Sequence, residues 1–119
     1  MRIAIPTHGR YGLEDQVNPH FGRAPTFTIF DERTGSLEIV ENASEHFGGS
    51  GLPPQLLSKK GVDALLCSGI GPRAVQAFQS MGIRVFVGAS GTVSEALEAF
   101  RSGSLREATD ADACAEHRH

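Results

Sequence analysis

The sequence has few of the residues that build disulfide frameworks, membrane spans or large aromatic clusters. Its 119 residues include two cysteines, one tyrosine and no tryptophan, and only 7% of them are aromatic. Two distant cysteines do not make a disulfide framework, and no apolar run approaches the ~20 residues of a membrane span. The N-terminus also lacks the apolar stretch of a signal peptide. We therefore expect a cytoplasmic protein that contacts no membrane.

An excess of positive charge is also absent. The chain carries 14 acidic against 11 basic residues, which gives a formal net charge of -3. That balance argues against a protein that grips nucleic-acid phosphates with a basic face. Glycine is abundant, with 14 residues, and glycine and proline mark the turns between short apolar segments. The length suits one domain, since domains commonly have roughly 100–200 residues.

The apolar segments predict five strands and three helices in the order β-β-β-α-β-α-β-α. Strands are expected at residues 2–6, 26–30, 37–41, 62–67 and 83–87, and helices are expected to begin near Pro53, Pro72 and Thr92. Right-handed crossovers make the last two strands parallel. The result is an α/β fold, a mixed five-stranded sheet with helices on its faces. We place the domain at residues 1–103 and interpret residues 104–119, which lose this periodicity, as a polar tail.

Three loops are expected to meet at one end of this sheet. If the first strand runs parallel to the fourth and fifth, residues 7–25, 68–72 and 88–92 share the edge where the parallel strands end. Ligands of such sheets bind at that edge. The first of these loops is long, and a long loop inside a compact domain is more often functional than idle.

Within the first loop, His20-Phe21-Gly22-Arg23 has the chemistry of a metal or anion site. A neutral imidazole is a good ligand for iron, copper or zinc. Gly22 lets a ligand approach the backbone closely, and Arg23 can pair with an anion. The same residues also fit a loop histidine that hydrogen-bonds locally, with Phe21 covering the core.

Other histidines and a cysteine are further candidate metal ligands. His8 follows the first strand and can share an edge with His20, whereas His46 lies in a second glycine-rich loop. The alternative is three unrelated surface histidines. A second group near the C-terminus consists of Cys114, His117 and His119. Sulfur and imidazole suit a thiophilic metal, although these residues also fit a tail with incidental side chains.

Two glycine-rich turns connect strands to helices. They contain Gly69 and Gly71 in the first turn and Gly88 and Gly91 in the second. Their N–H groups and the helix N-termini that follow favour an anion. Neither turn is a P-loop or a G-x-G-x-x-G motif, and tight turns need glycine for structural reasons as well. Cys67, at the end of an apolar strand, is expected to be buried.

The sequence shows no enzymatic signature. A nuclease of ribonuclease H-like layout holds metal on carboxylates of its sheet, yet residues 2–6 contain no Asp or Glu. Asp63 begins the fourth strand, at the opposite end from the expected site. There is no nucleophile elbow and no H-E-x-x-H motif. We therefore predict a protein that binds a ligand and is not an enzyme.

The chain resembles the dinitrogenase iron-molybdenum cofactor biosynthesis family, whose NifX-like domains also occur at the C-terminus of NifB. The resemblance covers about residues 1–103. It is carried by Ile3-Ala4-Ile5-Pro6, Val17 to Pro25 around His-Phe-Gly-Arg-Ala, Glu41-Asn42, the loop from His46 to Gly51, and Gly69-Ile70-Gly71-Pro72. It implies a three-layer ribonuclease H-like fold without nuclease function. No radical domain of the NifB type is present in this chain.

The resemblance further implies that the protein binds or carries a metal–sulfur cluster or its precursor, of iron-molybdenum or another type. Its partners would then be the cluster and cofactor-assembly proteins. Carried over by position, His20 is the leading ligand, and Arg23 and the turn amides face the anionic cluster. A second hypothesis uses the same helix N-termini without metal, in a module that senses a small anion or a nucleotide-type ligand.

Overall fold

The computed structural model describes residues 1–42 and 53–108, which form a mixed α/β structure. Its elements in chain order are β1 (Arg2–Thr7), β2 (Thr26–Asp31), β3 (Leu37–Glu41), α1 (Pro53–Lys59), β4 (Ala64–Cys67), α2 (Pro72–Ser80), β5 (Arg84–Val87), α3 (Val93–Arg101) and β6 (Arg106–Glu107). Two short 3-10 helices, Gly12–Glu14 and Phe21–Arg23, lie in the loop between β1 and β2. The predicted order of elements is confirmed as far as α3.

The sheet has six strands in the order β3-β2-β1-β4-β5-β6. β1, β4 and β5 are parallel, whereas β2, β3 and β6 each run antiparallel to the neighbour that pairs with them. The prediction of five strands was wrong, because the sheet has a sixth strand, β6. This strand lies within the segment that we interpreted as a polar tail. Its two polar residues carry no apolar pattern, and the strand is held instead by its pairing with β5.

Alternation along the strands produces an apolar core on each face of the sheet. On one face, side chains of β1, β2, β4 and β5 pack with α1 and α2, through Leu57, Val75 and Phe78. On the other face, Ile3 and Ile5 pack with α3. Helices therefore cover both faces, as expected, and the helices and the sheet form three layers. The ribonuclease H-like assignment stays a prediction.

Charged side chains form ion pairs at the edge of the sheet where β1 and β4 begin. Arg2 donates to Asp31 and Glu38, and Lys60 donates to Glu38 at 2.7 Å. The hydrogen bond from Lys60 is the main reason that the pKa of Glu38 is lowered. Among the described residues, no helix is both long and apolar enough to cross a membrane.

Candidate functional site

The carboxyl ends of β1, β4 and β5 lie along one edge of the sheet, opposite the charged edge. Parallel pairing aligns β1 with β4 and β4 with β5. The loop that follows β1 turns back over this edge, where the N–H of Val17 donates to the carbonyl oxygen of Gly91 at 2.8 Å. The expectation that the three loops share one end of the sheet is confirmed.

Two of these loops flank an open groove of about 450 Å³. One wall is formed by the long loop after β1, and the other by the turn from β4 to α2. The residues that line this groove are Pro19, His20, Phe21, Gly22, Arg23, Gly69, Ile70 and Gly71. The structure thus brings together the predicted run 20–23 and the first of the two predicted glycine turns.

Apolar side chains attach both walls of the groove to the core. Phe21 is half-buried, and its ring meets the ring of Phe78 edge-on, with 5.9 Å between the centroids. Phe21 and Ile70 both pack against the core beneath α1 and α2. Phe21 therefore covers the core, as one of the two interpretations of this loop expected. His20 and Arg23, on either side of it, are exposed.

The positive groups of the groove come from Arg23 and from the N-terminus of α2. Arg23 forms no ion pair within residues 1–42 and 53–108. The α2 helix begins after Gly71 with no side-chain cap, with Pro72 at its start and with no acidic residue in its first turn. Because the first N–H groups of a helix lack partners inside it and sit at the positive end of the dipole, this terminus favours an anion.

The glycines of the groove differ from the other glycines of the fold. None of Gly22, Gly69 and Gly71 has a positive φ, and a Cβ added at any of them would meet no atom of the described residues within 4 Å. Neither a positive φ nor packing against residues 1–42 and 53–108 therefore requires glycine there. The missing side chains leave the backbone of both walls open to a ligand.

Gly88 and Gly91 belong to a turn whose polar groups are already used inside the protein. Both have positive φ, 95° and 78°, so the fold itself favours glycine at these positions. The N–H of Gly88 donates to the carbonyl oxygen of Ser68 at 3.1 Å. The structure places neither residue in the lining of the groove.

The α3 helix that follows this turn is capped by side-chain and backbone groups. Thr92 and Glu95 form a capping box, in which each side chain accepts a backbone N–H of the other residue. The N–H of Val93 donates to the carbonyl oxygen of Asp15 at 2.8 Å. With these N–H groups engaged, the start of α3 offers an anion far less than the start of α2 does.

Of the other predicted ligands, the structure describes only His8, which does not line the groove. The ring of His8 is exposed, and its Nδ1 lies 3.4 Å from the Nδ2 of Asn18. His46, Cys114, His117 and His119 lie outside the described residues. Within the described part of the chain, no three His, Cys, Asp or Glu side chains group together as ligands for a metal ion.

Cys67 lies in the core, as predicted. Its side chain is fully buried, and its Sγ lies 3.6 Å from the carbonyl oxygen of Phe86 as a weak donor. Burial raises the pKa of this thiol to about 12. Its thiolate is therefore scarce at neutral pH. Cys67 ends β4, which leads into the turn that lines the groove, but Cys67 itself does not line it.

The sequence analysis missed the buried polar residues that hold the long loop in place. The carboxylate of Asp15 accepts the N–H groups of Gly9 and Gln16. Asn18 and Asn42 both bond to the backbone around His20–Arg23. Asn18 and Asn42 stood among the residues that carry the family resemblance, which was the one signal available for them.

Comparisons with known proteins give one family model and several similar proteins. The family model described as dinitrogenase iron-molybdenum cofactor matches residues 1–103. An uncharacterized protein of Methanocaldococcus jannaschii is 30% identical over 112 residues, which are 90% of this chain and 91% of that protein. The apo form of the orange protein from Desulfovibrio gigas is similar in structure. It has a TM-score of 0.82 and 38% identity, over 90% of this chain and 92% of that one.

Proposed function

This chain belongs to the dinitrogenase iron-molybdenum cofactor family, and from that premise we propose that it binds or carries an anionic metal–sulfur cluster, or a precursor of one, in the groove. The cargo would be an iron-molybdenum species or another metal–sulfur cluster. His20 would ligate a metal of the cargo. Arg23 and the backbone N–H groups at the start of α2 would balance its negative charge.

The observation that carries this proposal is the glycine lining of the groove. Gly22, Gly69 and Gly71 have no positive φ and would meet no described residue if they carried a Cβ, yet they lie on both walls beside the uncapped start of α2. Open backbone on two sides suits a ligand that is bulky, anionic and held by N–H groups. The relation to the orange protein, which was solved in an apo form, supports a bound group in this fold.

The donors of the groove fit a cargo that brings its own ligands. One imidazole, one guanidinium and several N–H groups supply a single metal bond and much positive potential. Among the described residues, the lining contains no carboxylate, hydroxyl or thiol side chain. We therefore propose carriage of the cargo, with cofactor-assembly proteins as donors or acceptors of it, and no chemical conversion by this chain.

The test is anaerobic reconstitution with ferrous iron, molybdate and sulfide, followed by metal analysis of the desalted protein. We expect wild type to retain metal and His20→Ala to retain several-fold less. Gly69→Leu should also lose metal while it stays folded, because the leucine enters open space in the groove. His8→Ala tests whether a second histidine ligates the metal. We expect this variant to retain most of the metal. If wild type and His20→Ala retain equally little metal, the proposal fails.

A small-anion sensor is the second candidate, because the uncapped start of α2 also suits a phosphate-bearing ligand without metal. A ligand at 100 times its dissociation constant would add roughly 2.7 kcal/mol to the free energy of unfolding. Thermal unfolding of the metal-free protein with a panel of nucleotides and phosphates checks this. A clear rise in Tm in the panel, without metal retention, would favour the sensor over the carrier.

A further inference from the structure

Two buried asparagines hold the part of the long loop that forms one wall of the groove. Asn18 is 8% exposed and Asn42 is 1% exposed. Neither residue lines the groove, yet both side chains bond to the backbone of residues 20–24. A buried amide is costly to keep unless its hydrogen bonds are made, so each of these bonds fixes the loop that it reaches.

Asn18 ties His20 to the end of β1. Its own N–H donates to the carbonyl oxygen of Pro6 at 2.8 Å. Its Oδ1 accepts the N–H of His20 at 2.9 Å, while its Nδ2 lies 3.4 Å from the Nδ1 of His8. The backbone from which the His20 imidazole projects is thereby fixed relative to the sheet.

Asn42 holds the other end of the same segment from β3. Its N–H donates to the carbonyl oxygen of Pro25 at 3.0 Å. Its Nδ2 donates to the carbonyl oxygens of Ala24, at 2.9 Å, and of Gly22, at 3.4 Å. Two carbonyl oxygens, the negative ends of their peptide dipoles, are thus engaged by a buried amide and are not offered to an anion in the groove.

We propose that Asn18 and Asn42 are positioning residues for the cargo, an inference that rests on the proposed function. Together they fix the backbone of the His20–Arg23 segment before the cargo binds. Asn18 fixes the backbone that carries the imidazole, and Asn42 keeps two carbonyl oxygens hydrogen-bonded inside the protein. A site that is already ordered loses less conformational freedom on binding. The two asparagines therefore act on affinity through His20 and its neighbours, without touching the cargo.

A double-mutant cycle with tetrathiomolybdate as the anionic probe tests this proposal. Asn18→Leu keeps the approximate size of the side chain but removes the acceptor of the His20 N–H. We expect it to weaken probe binding about tenfold when His20 is present and less than about twofold in the His20→Ala background, because interacting residues are not additive. Arg23 and the turn amides keep the weaker affinity measurable at higher probe concentration.

Asn42→Leu is measured in the same cycle, so the proposal stays testable if one leucine variant fails to fold. Amide hydrogen exchange at His20 gives an independent measure, since exchange should speed up in Asn18→Leu. Thr26→Val is the matched control. Thr26 begins β2, and its hydroxyl donates to the carbonyl oxygen of Gly9 at 2.6 Å. Gly9 lies in the same long loop as His20, but neither Gly9 nor Thr26 lines the groove. This variant should lower Tm while probe affinity stays within about twofold of wild type.

The outcomes separate this inference from the function on which it rests. If wild type binds no probe and retains no metal, the proposed function falls and the positioning role falls with it. If wild type binds and depends on His20, but Asn18→Leu loses the same factor with and without His20, or Asn42→Leu leaves probe affinity within about twofold of wild type, that asparagine has only a structural role. That second result overturns this inference alone.

Discussion

At the scale of single residues, the chemistry available to the protein depends on what each side chain can reach. Cys67 is the one sulfur in the described part of the chain, apart from methionine. It ends β4 next to Ser68 and the glycine turn, so sequence position alone would make it a candidate ligand. Full burial in the core keeps its Sγ from a ligand in the groove, and the same burial raises the pKa of the thiol to about 12.

This difference predicts the reactivity of Cys67. In a Cys114→Ser variant, which leaves Cys67 as the only thiol, we expect no measurable reaction with an aromatic disulfide reagent at pH 8 while the protein is folded. Unfolding in guanidinium should release one equivalent of reactive thiol. Rapid reaction of the folded variant would mean that Cys67 reaches solvent, and it would then have to be counted among the groups of the groove.

Residue types indicated part of the site but not how it is held. His20 and Arg23 were identified because imidazole and guanidinium have recognisable chemistry. Asn18 and Asn42 have no such mark, since an asparagine in a loop is more often a turn residue. Their role depends on burial and on hydrogen bonds that join the long loop to the ends of β1 and β3. No pattern in a single sequence indicates either feature.

At the scale of elements, the important contrast is between the first turns of α2 and α3. Both helices follow a parallel strand and a glycine turn, so the sequence predicted both as anion sites. In α3 the N–H groups are taken by Thr92 and by the carbonyl of Asp15. In α2 no side chain of the described residues caps the start. The capping box was readable from the sequence, but the bond from distant Asp15 was not.

The contrast predicts that the α3 cap serves stability alone. Thr92→Ala should lower the free energy of unfolding by about 1 kcal/mol, because it removes the acceptor of the Glu95 N–H. Urea unfolding measures this loss. Metal retention after reconstitution should stay at the wild-type level, and a parallel loss of metal in the folded variant would place the α3 turn in the site after all.

Strand β6 shows where prediction from periodicity ends. Apolar patterning identified the three parallel strands and both faces of β2, because the sheet buries those side chains on both sides. Arg106 and Glu107 have no such pattern. Their strand depends on pairing with β5 at the sheet edge and on the ion pair between Arg84 and Glu107, at 2.8 Å.

At the scale of the whole molecule, the two ends of the sheet have different electrostatic character. At one edge, the charges of Arg2, Asp31, Glu38 and Lys60 neutralise one another. At the other, Arg23 and the start of α2 face a groove in which no described lining residue is acidic. The net charge of -3 does not attract an anion, so an anionic cargo must be held by these local groups.

The central claim is that an anionic metal–sulfide species binds between the His20 loop and the start of α2. The most direct test is a titration of the ¹⁵N-labelled protein with tetrathiomolybdate in the absence of oxygen, followed by amide chemical shifts. We predict saturable shifts at residues 20–23, 69–71 and 73–74, with Gly88, Gly91 and Arg2 unchanged. Shifts centred on the α3 turn or on the charged edge, or no saturable shift at all, would contradict the account.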